Sequence, residues 1–468
     1  MNVLLVNPRN RFSGFIVIPN LALGYLAGAV RAAGHDVTVL DAARDELTLE
    51  QFRQAVARGR YDVVGLNVFS PSFAAAADYA RAVREVAPAA VVVAGGPHPT
   101  FEPVETLLRI PAIDYVVAGE GEIALPRLLA CVSGGGVPSA AALRAVPNLA
   151  WRDGGTVVCN PVQRVDDLDA LPPVAWDLLA PDRFPTVPNG VFSRKARIAP
   201  IITTRGCPYR CAFCGARHTL GSRVRVRSAE AVVAEMAELQ RRFGVEEIHV
   251  LDDGFTQDRA HALRVCEHVR RARLGLPWAI PSGVRLDTLD VELLRAMEDA
   301  GVYSMAVGIE AGSQRVLDLM KKHLTLATIR EKVALIKRHT RIRVTGFFIL
   351  GFPGETLAEA RQTVQLALEL PIDRANFFNF TPFPGSEIHA QLRASGQLRG
   401  VSYDDLFIHH VRYGSAQIPA PVLQALQAEA HVRFYSRPRI LLPLLGEVRT
   451  LAQVRVLVRR AAAIVSST

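Results

Sequence analysis

Short apolar runs alternate with helical stretches along most of this chain, and this pattern constrains the fold more than any other feature. In the first 140 residues the strand-like runs fall at residues 3–6, 36–40, 63–68, 90–94 and 115–117. Apolar strands that alternate with helices form parallel sheets that helices cover on both faces. Residues 1–140 are therefore predicted to form a doubly wound, flavodoxin-like (Rossmann-like) α/β domain.

A second series of the same kind begins near residue 196. Its six strand-like runs fall at residues 198–204, 247–251, 278–282, 303–307, 343–350 and 375–380. Ser228 is expected to cap the helix that follows the first of them. A chain of 468 residues, 50% of them hydrophobic, is long enough for about two or three domains. We expect a linker with a hairpin at 141–195, a second α/β domain at 196–398 and a helical region at 399–468.

Three cysteines directly follow the first strand of the second series. Cys207, Cys211 and Cys214 have the spacing C-x3-C-x2-C. A 4Fe-4S cluster normally takes four thiolates, so three leave one iron open to a further ligand. A structural zinc site with His218 as the fourth ligand is the alternative. The loop lies deep inside a long chain and no second ligand pair accompanies it, which favours the cluster.

The cysteine spacing, with the aromatic Phe213 just before the last cysteine, resembles the radical S-adenosylmethionine (SAM) superfamily. The resemblance implies a partial (β/α)6 barrel of the TIM type, with its chemistry at the carboxyl ends of the strands. It also implies that the open iron binds SAM and that Phe213 lies near the adenine. Further SAM contacts then fall on the matching loops: Asp253 for the amino group, Glu310 for the ribose, and Gly346 to Gly351 for the adenine.

Each of these later residues also has an ordinary structural interpretation. Asp253 belongs to an Asp-Asp-Gly turn, and Glu310 is placed to cap a helix that begins near Ser313. Arg285 offers a guanidinium fork that suits the carboxylate of SAM, but Asp287 is a nearby partner for the same fork. The order of these residues behind the cysteines favours the cofactor roles.

The N-terminal series carries small and polar residues where its strands end. Ligands of doubly wound sheets bind beyond those carboxyl ends. Glycines there are ordinary in turns, and they also let the backbone approach a ligand closely. The set resembles a cobalamin-binding domain, which implies that the following residues line the cobalamin site: Ser70, Gly95, Gly96, Gly119, Glu120 and Gly121.

One departure from that family concerns the lower face of the cobalamin. The D-x-H-x-x-G motif, which supplies a cobalt ligand in one large branch, is missing because residues 7–23 contain no histidine. His98, which lies between two prolines, is the candidate substitute ligand. A solvent-facing or hydrogen-bonded loop histidine is the alternative interpretation.

Two modules in this order resemble the cobalamin-binding branch of the radical SAM superfamily, including its class B methyltransferases. The resemblance implies an iron-sulfur cluster, SAM and cobalamin as cofactors. It also implies a transferase that methylates an unactivated carbon through a 5'-deoxyadenosyl radical and methylcobalamin. Non-methylating members, such as anaerobic oxidative cyclases and ring-rearranging enzymes, are the alternative, and a cobalamin or redox sensor is another. No motif identifies the substrate: a natural product, a tetrapyrrole, an isoprenoid lipid and a phosphorus compound are all candidates.

The remaining features concern location and partners. The chain begins in a strand-like run and has no apolar stretch of about 18 residues, so neither a signal peptide nor a membrane span is expected. The other cysteines are scattered, which argues for a reducing, cytoplasmic location. The net charge of +9 suits the acidic electron donor, a flavodoxin or ferredoxin, that the family implies. The arginines are spread along the chain, so no nucleic-acid partner is expected.

The C-terminal tail combines arginines with apolar runs. These runs fall at residues 437–445 and 455–460. A solvated helical face or a lid is the ordinary interpretation of such a segment. Contact with a membrane surface, or with a lipid substrate, is the alternative.

Overall fold

The computed structural model describes residues 1–13, 18–184, 193–408, 411, 413–448, 450–451 and 453–454. The chain divides into two compact α/β units. The N-terminal unit comprises Met1–Phe184, Gly215–Arg225 and Ser402–Asp404. The C-terminal unit comprises Pro185–Cys214, Val226–Val401 and Asp405–Thr468. The first unit therefore takes up the short segment that directly follows the cysteines.

The N-terminal unit is built on a seven-stranded sheet with the order β2-β1-β3-β4-β5-β6-β7. Its strands are β1 Asn2–Asn7, β2 Asp36–Asp41, β3 Val63–Asn67, β4 Val91–Gly95, β5 Tyr115–Val117, β6 Leu149–Asp153 and β7 Thr156–Cys159. The first five are parallel, and β6 and β7 are antiparallel. The predicted doubly wound sheet is confirmed.

The central strands β1, β3 and β4 are largely buried, and the unit also contains helices. They are α1 Leu21–Ala32, α2 Leu49–Gly59, α3 Phe73–Val86, α4 Pro97–Phe101, α5 Pro103–Arg109, α6 Gly121–Val132, α7 Ala140–Arg144, α8 Trp176–Leu179 and α9 Ala216–Leu220. Local signals set their starts: the Asn20 side chain caps α1, and Thr48 forms a capping box with Gln51 at α2. Val64 and Val92 are fully buried in the core between sheet and helices.

The hairpin expected inside the linker is present, but it belongs to the N-terminal sheet. Strand β6 pairs with β5 and with β7, so the hairpin extends the sheet at its edge. Residues 141–184 thus form part of the first unit, whereas a linker was predicted over 141–195. The pairing of β6 with β5 is a contact between segments about 35 residues apart, which a local hairpin pattern does not reveal.

The C-terminal unit contains a six-stranded, all-parallel sheet with the order β8-β11-β12-β13-β14-β15. The strands from β8 onward are β8 Ile198–Ile201, β9 Thr204–Arg205, β10 Arg225–Val226, β11 Glu247–Val250, β12 Trp278–Val284, β13 Val302–Glu310, β14 Arg343–Leu350 and β15 Arg374–Asn379. All six predicted strands exist. The predicted run 198–204 is divided into β8 and β9.

Helices alternate with these strands and continue into the tail. They are α10 Ala229–Phe243, α11 Arg259–Ala272, α12 Val291–Asp299, α13 Gln314–Leu319, α14 Leu326–His339, α15 Leu357–Glu369, α16 Glu387–Ala394, α17 Ala420–Tyr435 and α18 Pro438–Glu447. As predicted, Ser228 caps α10, and Gly244 ends it in the left-handed conformation.

The tail contains helices α17 and α18, whereas the described residues between Asp405 and Ala420 form no helix. Helix α18 leaves Leu442 and Leu445 largely exposed, at 66% and 57%. The basic run at 455–460 lies outside the described residues. Among the described helices, none has both the length and the apolar character needed to cross a bilayer.

Candidate functional site

The cysteine loop follows β9 at the carboxyl end of the sheet in the C-terminal unit. Gly206, with a φ of +102°, makes the turn out of the strand, a conformation that favours glycine. Ala212 is held on both sides, since its N–H donates to the Met320 carbonyl at 2.9 Å and its carbonyl accepts from the Ile388 N–H at 3.0 Å. The backbone between Cys211 and Cys214 is thereby fixed to two other segments of the unit.

The three thiols of this loop differ in environment. Cys207 and Cys211 are half-buried and Cys214 is exposed. Burial raises the pKa of the Cys211 thiol, while the nearby positive charges of Lys322 and Arg285 oppose that rise. Gln257 donates its side-chain Nε2–H to Cys207 Sγ at 3.4 Å. Lys322 and Arg285 therefore offset only part of the effect of burial on Cys211, and Gln257 is a hydrogen-bond donor to the neighbouring sulfur.

The three cysteines of the loop are the candidate ligands of a cluster. All six cysteines are described and none forms a disulfide. Among the described residues, no three His, Cys, Asp or Glu side chains are grouped so that they could hold one metal ion. Thiolates are the usual ligands of a 4Fe-4S cluster, so the donor set of the loop fits such a group. Which residues hold the cluster stays a prediction, with Cys207, Cys211 and Cys214 as its ligands.

Arg285 lies at the end of β12 with most of its donors engaged. Its guanidinium makes a bidentate pair with Asp287 at 3.0 and 2.9 Å and donates to the Lys322 carbonyl at 3.0 Å. Its Cζ lies 3.7 Å from the centroid of the Tyr209 ring, inside the cysteine loop. Of the three guanidinium nitrogens of Arg285, only Nη1 is buried without a partner among the described residues. The fork predicted for the SAM carboxylate is thus occupied by Asp287.

Glu310 ends β13 in the left-handed conformation, with a φ of +68°. Its carboxylate accepts from Lys322 Nζ at 2.7 Å, and both side chains are buried. A Cβ on Gly308 would lie 2.4 Å from Glu310 Oε1 and 2.6 Å from Lys322 Nζ, so the glycine makes room for the pair. A strained non-glycine residue beside a buried ion pair is typical of a functional site. Its predicted contact with the SAM ribose stays a prediction.

The two aspartates after β11 have different surroundings. Asp252 is fully buried, and its carboxylate accepts from the N–H and the hydroxyl of Thr203 at 2.6 and 2.5 Å. Burial raises the pKa of Asp252 to about 6. The Asp253 side chain reaches solvent, yet surrounding protein raises its pKa as well. The predicted contact of Asp253 with the SAM amino group stays a prediction.

The two glycines predicted for adenine binding have structural reasons of their own. A Cβ on Gly346 would lie 2.7 Å from Phe348 and 2.9 Å from Ile372, so the glycine leaves room for these two side chains to pack against β14. Gly351 has a φ of +82° and faces Leu423. Phe347 lies between the buried residues Gly346 and Phe348 in β14, and its half-buried side chain is on the opposite face of the strand. Phe213 is half-buried in the cysteine loop.

Sequence patterns missed one buried amide at the carboxyl end of the same sheet. Asn379 ends β15 and is 2% exposed, and neither Nδ2 nor Oδ1 has a partner among the described residues. A buried amide without partners is costly unless a ligand or water satisfies it. Asn379 is therefore a further candidate contact for a cofactor or substrate. Nothing in the local sequence distinguishes it from an ordinary strand end.

The N-terminal unit brings Ser70 and His98 together. Ser70 Oγ lies 3.1 Å from His98 Nδ1. His98 is fully buried in α4, and its ring contacts Phe73 and Tyr403, each with a centroid distance of 4.6 Å. The histidine is hydrogen-bonded, as one interpretation predicted, and it is not solvent-facing. Enclosed between two aromatic rings, it is poorly placed to ligate cobalt.

The four glycines predicted to line the cobalamin site have two kinds of environment. A Cβ on Gly96 would lie 2.5 Å from Asn67 Oδ1, and one on Gly121 would lie 2.7 Å from Leu26, so both are needed for packing. Gly95 and Gly119 meet nothing closer than 3.6 Å. Asn67 Nδ2 is buried without a partner among the described residues. An open glycine edge with an unsatisfied amide beside it fits a bound ligand such as cobalamin.

Glu120, predicted to contact cobalamin, is engaged within the N-terminal unit. Its carboxylate pairs with Arg225 at 2.7 and 2.8 Å and accepts from the Val165 N–H at 2.7 Å. Arg225 is the last residue of the segment that follows the cysteines and joins this unit. The structure therefore gives Glu120 an architectural partner, and its role toward cobalamin stays a prediction.

Comparison with known proteins identifies the class of this chain. The family model of the B12 binding domain matches residues 16–129, and that of the radical SAM superfamily matches residues 201–367. The chain is 30% identical over 449 residues to the uncharacterized methyltransferase PH0819 of Pyrococcus horikoshii, a match that covers 94% of each protein. The chain belongs to the cobalamin-dependent radical SAM enzymes, whose cofactors are a 4Fe-4S cluster, SAM and cobalamin.

Two further proteins are similar over most of the chain. The anaerobic magnesium-protoporphyrin IX monomethyl ester cyclase of Rubrivivax gelatinosus is 29% identical over 398 residues, which cover 84% of this chain and 70% of the cyclase. The structure of the radical SAM methyltransferase TsrM from Kitasatospora setae, with cobalamin and a 4Fe-4S cluster bound, matches with a TM-score of 0.70 at 22% identity. That match covers 86% of this chain and 78% of TsrM, and it concerns the fold alone.

Proposed function

We propose that this enzyme is a cobalamin-dependent methyltransferase that acts on an unactivated carbon atom. The observation that carries the proposal is the 30% identity to a methyltransferase over 94% of both chains, which includes the two cofactor modules. The buried His98, enclosed by Phe73 and Tyr403, is compatible with the proposal. The substrate is a small or lipid-like molecule.

When bound, the cluster and SAM supply a carbon-centred radical, and cobalamin supplies the methyl group. The chain's own residues have simpler tasks. Cys207, Cys211 and Cys214 hold the cluster, with Gln257 donating to one sulfur. Asp253 receives the amino group of SAM, and Asn379 supplies an amide at the strand ends. The buried pair of Glu310 and Lys322 places two fixed charges near Cys211.

The test is an anaerobic assay on the full chain after reconstitution with iron, sulfide and cobalamin. A strong reductant is added and the products of SAM are quantified by mass spectrometry. A methyltransferase should form both S-adenosylhomocysteine and 5'-deoxyadenosine, and the former only when cobalamin is present. Cys211→Ala should abolish 5'-deoxyadenosine, whereas Cys159→Ala, which removes an exposed cysteine outside the loop, should not. Formation of 5'-deoxyadenosine alone would contradict methyl transfer.

A second candidate is a non-methylating reaction of the cyclase type. The 29% identity to the Rubrivivax cyclase over 84% of this chain favours it. Such an enzyme should form 5'-deoxyadenosine with no cobalamin-dependent S-adenosylhomocysteine. The same assay therefore separates the two candidates.

Net charge and cysteine chemistry support a proposal for the electron donor and the location. We propose that an acidic flavodoxin or ferredoxin reduces the cluster, because the chain carries a net charge of +9. The six cysteines, none of which forms a disulfide, agree with a reducing cytoplasm. Reduction of the reconstituted cluster by flavodoxin should slow steeply as salt is raised, since salt screens complementary charges.

A further inference from the structure

We propose that Arg285 is a positioning residue that holds the cysteine loop in its cluster-binding shape through Tyr209, rather than a ligand of the SAM carboxylate. The proposal rests on the assignment of Cys207, Cys211 and Cys214 as cluster ligands. It concerns how the chain keeps three thiols in place.

The direct contact is a stack between a cation and a ring. The Arg285 guanidinium carbon lies 3.7 Å from the centroid of the Tyr209 ring. Tyr209 stands between Cys207 and Cys211, so the stack acts on the part of the loop that spans two ligands. A guanidinium over an aromatic face contributes about 0.5–1 kcal/mol when exposed and about 2 kcal/mol when desolvated.

The guanidinium is itself held rigidly. Asp287 takes Nε and Nη2 in a bidentate pair at 3.0 and 2.9 Å, and the Lys322 carbonyl accepts a second bond from Nη2 at 3.0 Å. Arg285 is 8% exposed. A planar, always charged fork that is fixed at both ends offers a rigid face, which a flexible lysine does not.

The anchors on Arg285 come from segments that also hold the loop. Met320, two residues before Lys322, accepts the Ala212 N–H at 2.9 Å. The stretch 320–322 thus contacts the loop directly at Ala212 and indirectly, through Arg285, at Tyr209. Two supports on either side of Cys211 restrict its position. This arrangement leaves Nη1 as the one nitrogen of Arg285 without a partner among the described residues.

The test measures how firmly the reconstituted protein keeps its cluster. Iron release to a chelator is followed anaerobically for the wild type, Tyr209→Leu, Tyr209→Phe and Arg285→Lys. Tyr209→Leu and Arg285→Lys should release iron roughly 2- to 30-fold faster, the factor that corresponds to about 0.5–2 kcal/mol. Tyr209→Phe keeps the ring and should behave as the wild type. Arg259→Lys, at an exposed arginine paired with Asp290 in the same unit, is the matched control.

A double variant distinguishes positioning from two separate effects. Tyr209→Leu combined with Arg285→Lys should release iron no faster than the worse single variant, because both changes remove the same contact. SAM affinity, measured by the change in the EPR signal of the reduced cluster, should be retained in Arg285→Lys molecules that still hold a cluster. Additive release rates, or lost SAM affinity with normal iron retention, would overturn the proposal.

These outcomes are independent of the proposed methyl transfer. Iron retention and the EPR signal require neither cobalamin nor substrate. A cyclase with the same loop would give the same iron-release rates. A methyltransferase in which Arg285 does not hold Tyr209 would show no difference in iron release between the wild type and the variants.

Discussion

The Arg225 guanidinium and the Glu120 carboxylate form a bidentate ion pair in the N-terminal unit, although 105 residues separate them. Their side chains are 3% and 2% exposed. Arg225 also donates to the carbonyls of Val165 and Leu220. The pair therefore fixes the segment that follows the cysteine loop to the unit that carries the cobalamin-binding motifs.

Removal of one member of this pair should destabilise the fold strongly. Glu120→Ala leaves the Arg225 charge buried and unpaired, which costs about 3–5 kcal/mol. The measurement is urea unfolding followed by circular dichroism. Asp177→Ala is the control, because Asp177 pairs with Arg31 at 2.6 Å with both side chains more than 40% exposed. That change should cost at most about 1 kcal/mol. Equal, small losses in both variants would contradict an architectural role for Glu120.

The hydrogen bond from Gln257 to Cys207 Sγ predicts an effect on the cluster potential. Hydrogen bonds to the sulfurs of an iron-sulfur cluster help to set its reduction potential, since they stabilise the more negative, reduced state. Gln257→Leu should therefore shift the midpoint potential to a more negative value, as measured by EPR during redox titration. Gln240→Leu is the control, because Gln240 donates to the Leu274 carbonyl and not to the loop. An unchanged potential in Gln257→Leu would refute the contact.

Much of the fold is predictable because its signals are local. Buried parallel strands are continuous apolar runs, and helix starts carry capping side chains such as Ser228. The edge of the N-terminal sheet is different, since β6 pairs with a strand about 35 residues earlier. Pairing of that kind depends on packing across the whole unit, which the hairpin's own sequence does not encode.

Part of the candidate site has local signals in the sequence. The cysteine spacing is a local pattern that predicts the loop, whereas the roles of Asp253 and Arg285 rest on the resemblance to the family and stay predictions. The partners of these residues were not predictable, because they come from different elements. Arg285 follows β12 and contacts Tyr209 in the cysteine loop, and Glu310 ends β13 and pairs with Lys322 beyond α13. Asn379 was missed for the same reason: its buried, unpartnered amide is a property of the packed sheet and not of the sequence around it.

The environment of His98 predicts that it is not a cobalt ligand. Gln can keep the hydrogen bond to Ser70 but provides no imidazole, so His98→Gln should leave the absorption and EPR spectra of bound cob(II)alamin unchanged. An imidazole on the cobalt would instead add nitrogen hyperfine structure, which the substitution would remove. His268→Gln is the control, because His268 pairs with Glu230 in the C-terminal unit, and it should leave the spectra unchanged as well. A spectral change in His98→Gln at full cobalamin occupancy would contradict this prediction.

The last prediction concerns pH and Glu355, a fully buried carboxyl group after β14. Its Oε2 accepts from the Gly351 and Phe352 N–H groups at 2.6 and 3.2 Å, and its Oε1 has no partner among the described residues. Burial raises the pKa of Glu355 from 4.5 to about 7. The folded protein then binds more protons than the unfolded chain between these values, so stability falls as the pH rises through that range.

Glu355→Gln should remove this pH dependence. As the pH rises from 5 to 8, the wild type should lose on the order of 2 kcal/mol of stability that the variant keeps. Each unit of pKa shift corresponds to about 1.4 kcal/mol. The measurement is the thermal midpoint of both proteins at the two pH values. Glu331→Gln, at an exposed glutamate of α14, is the control and should leave the difference between the pH values unchanged. A parallel fall in stability for the wild type and Glu355→Gln would show that Glu355 does not titrate in this range.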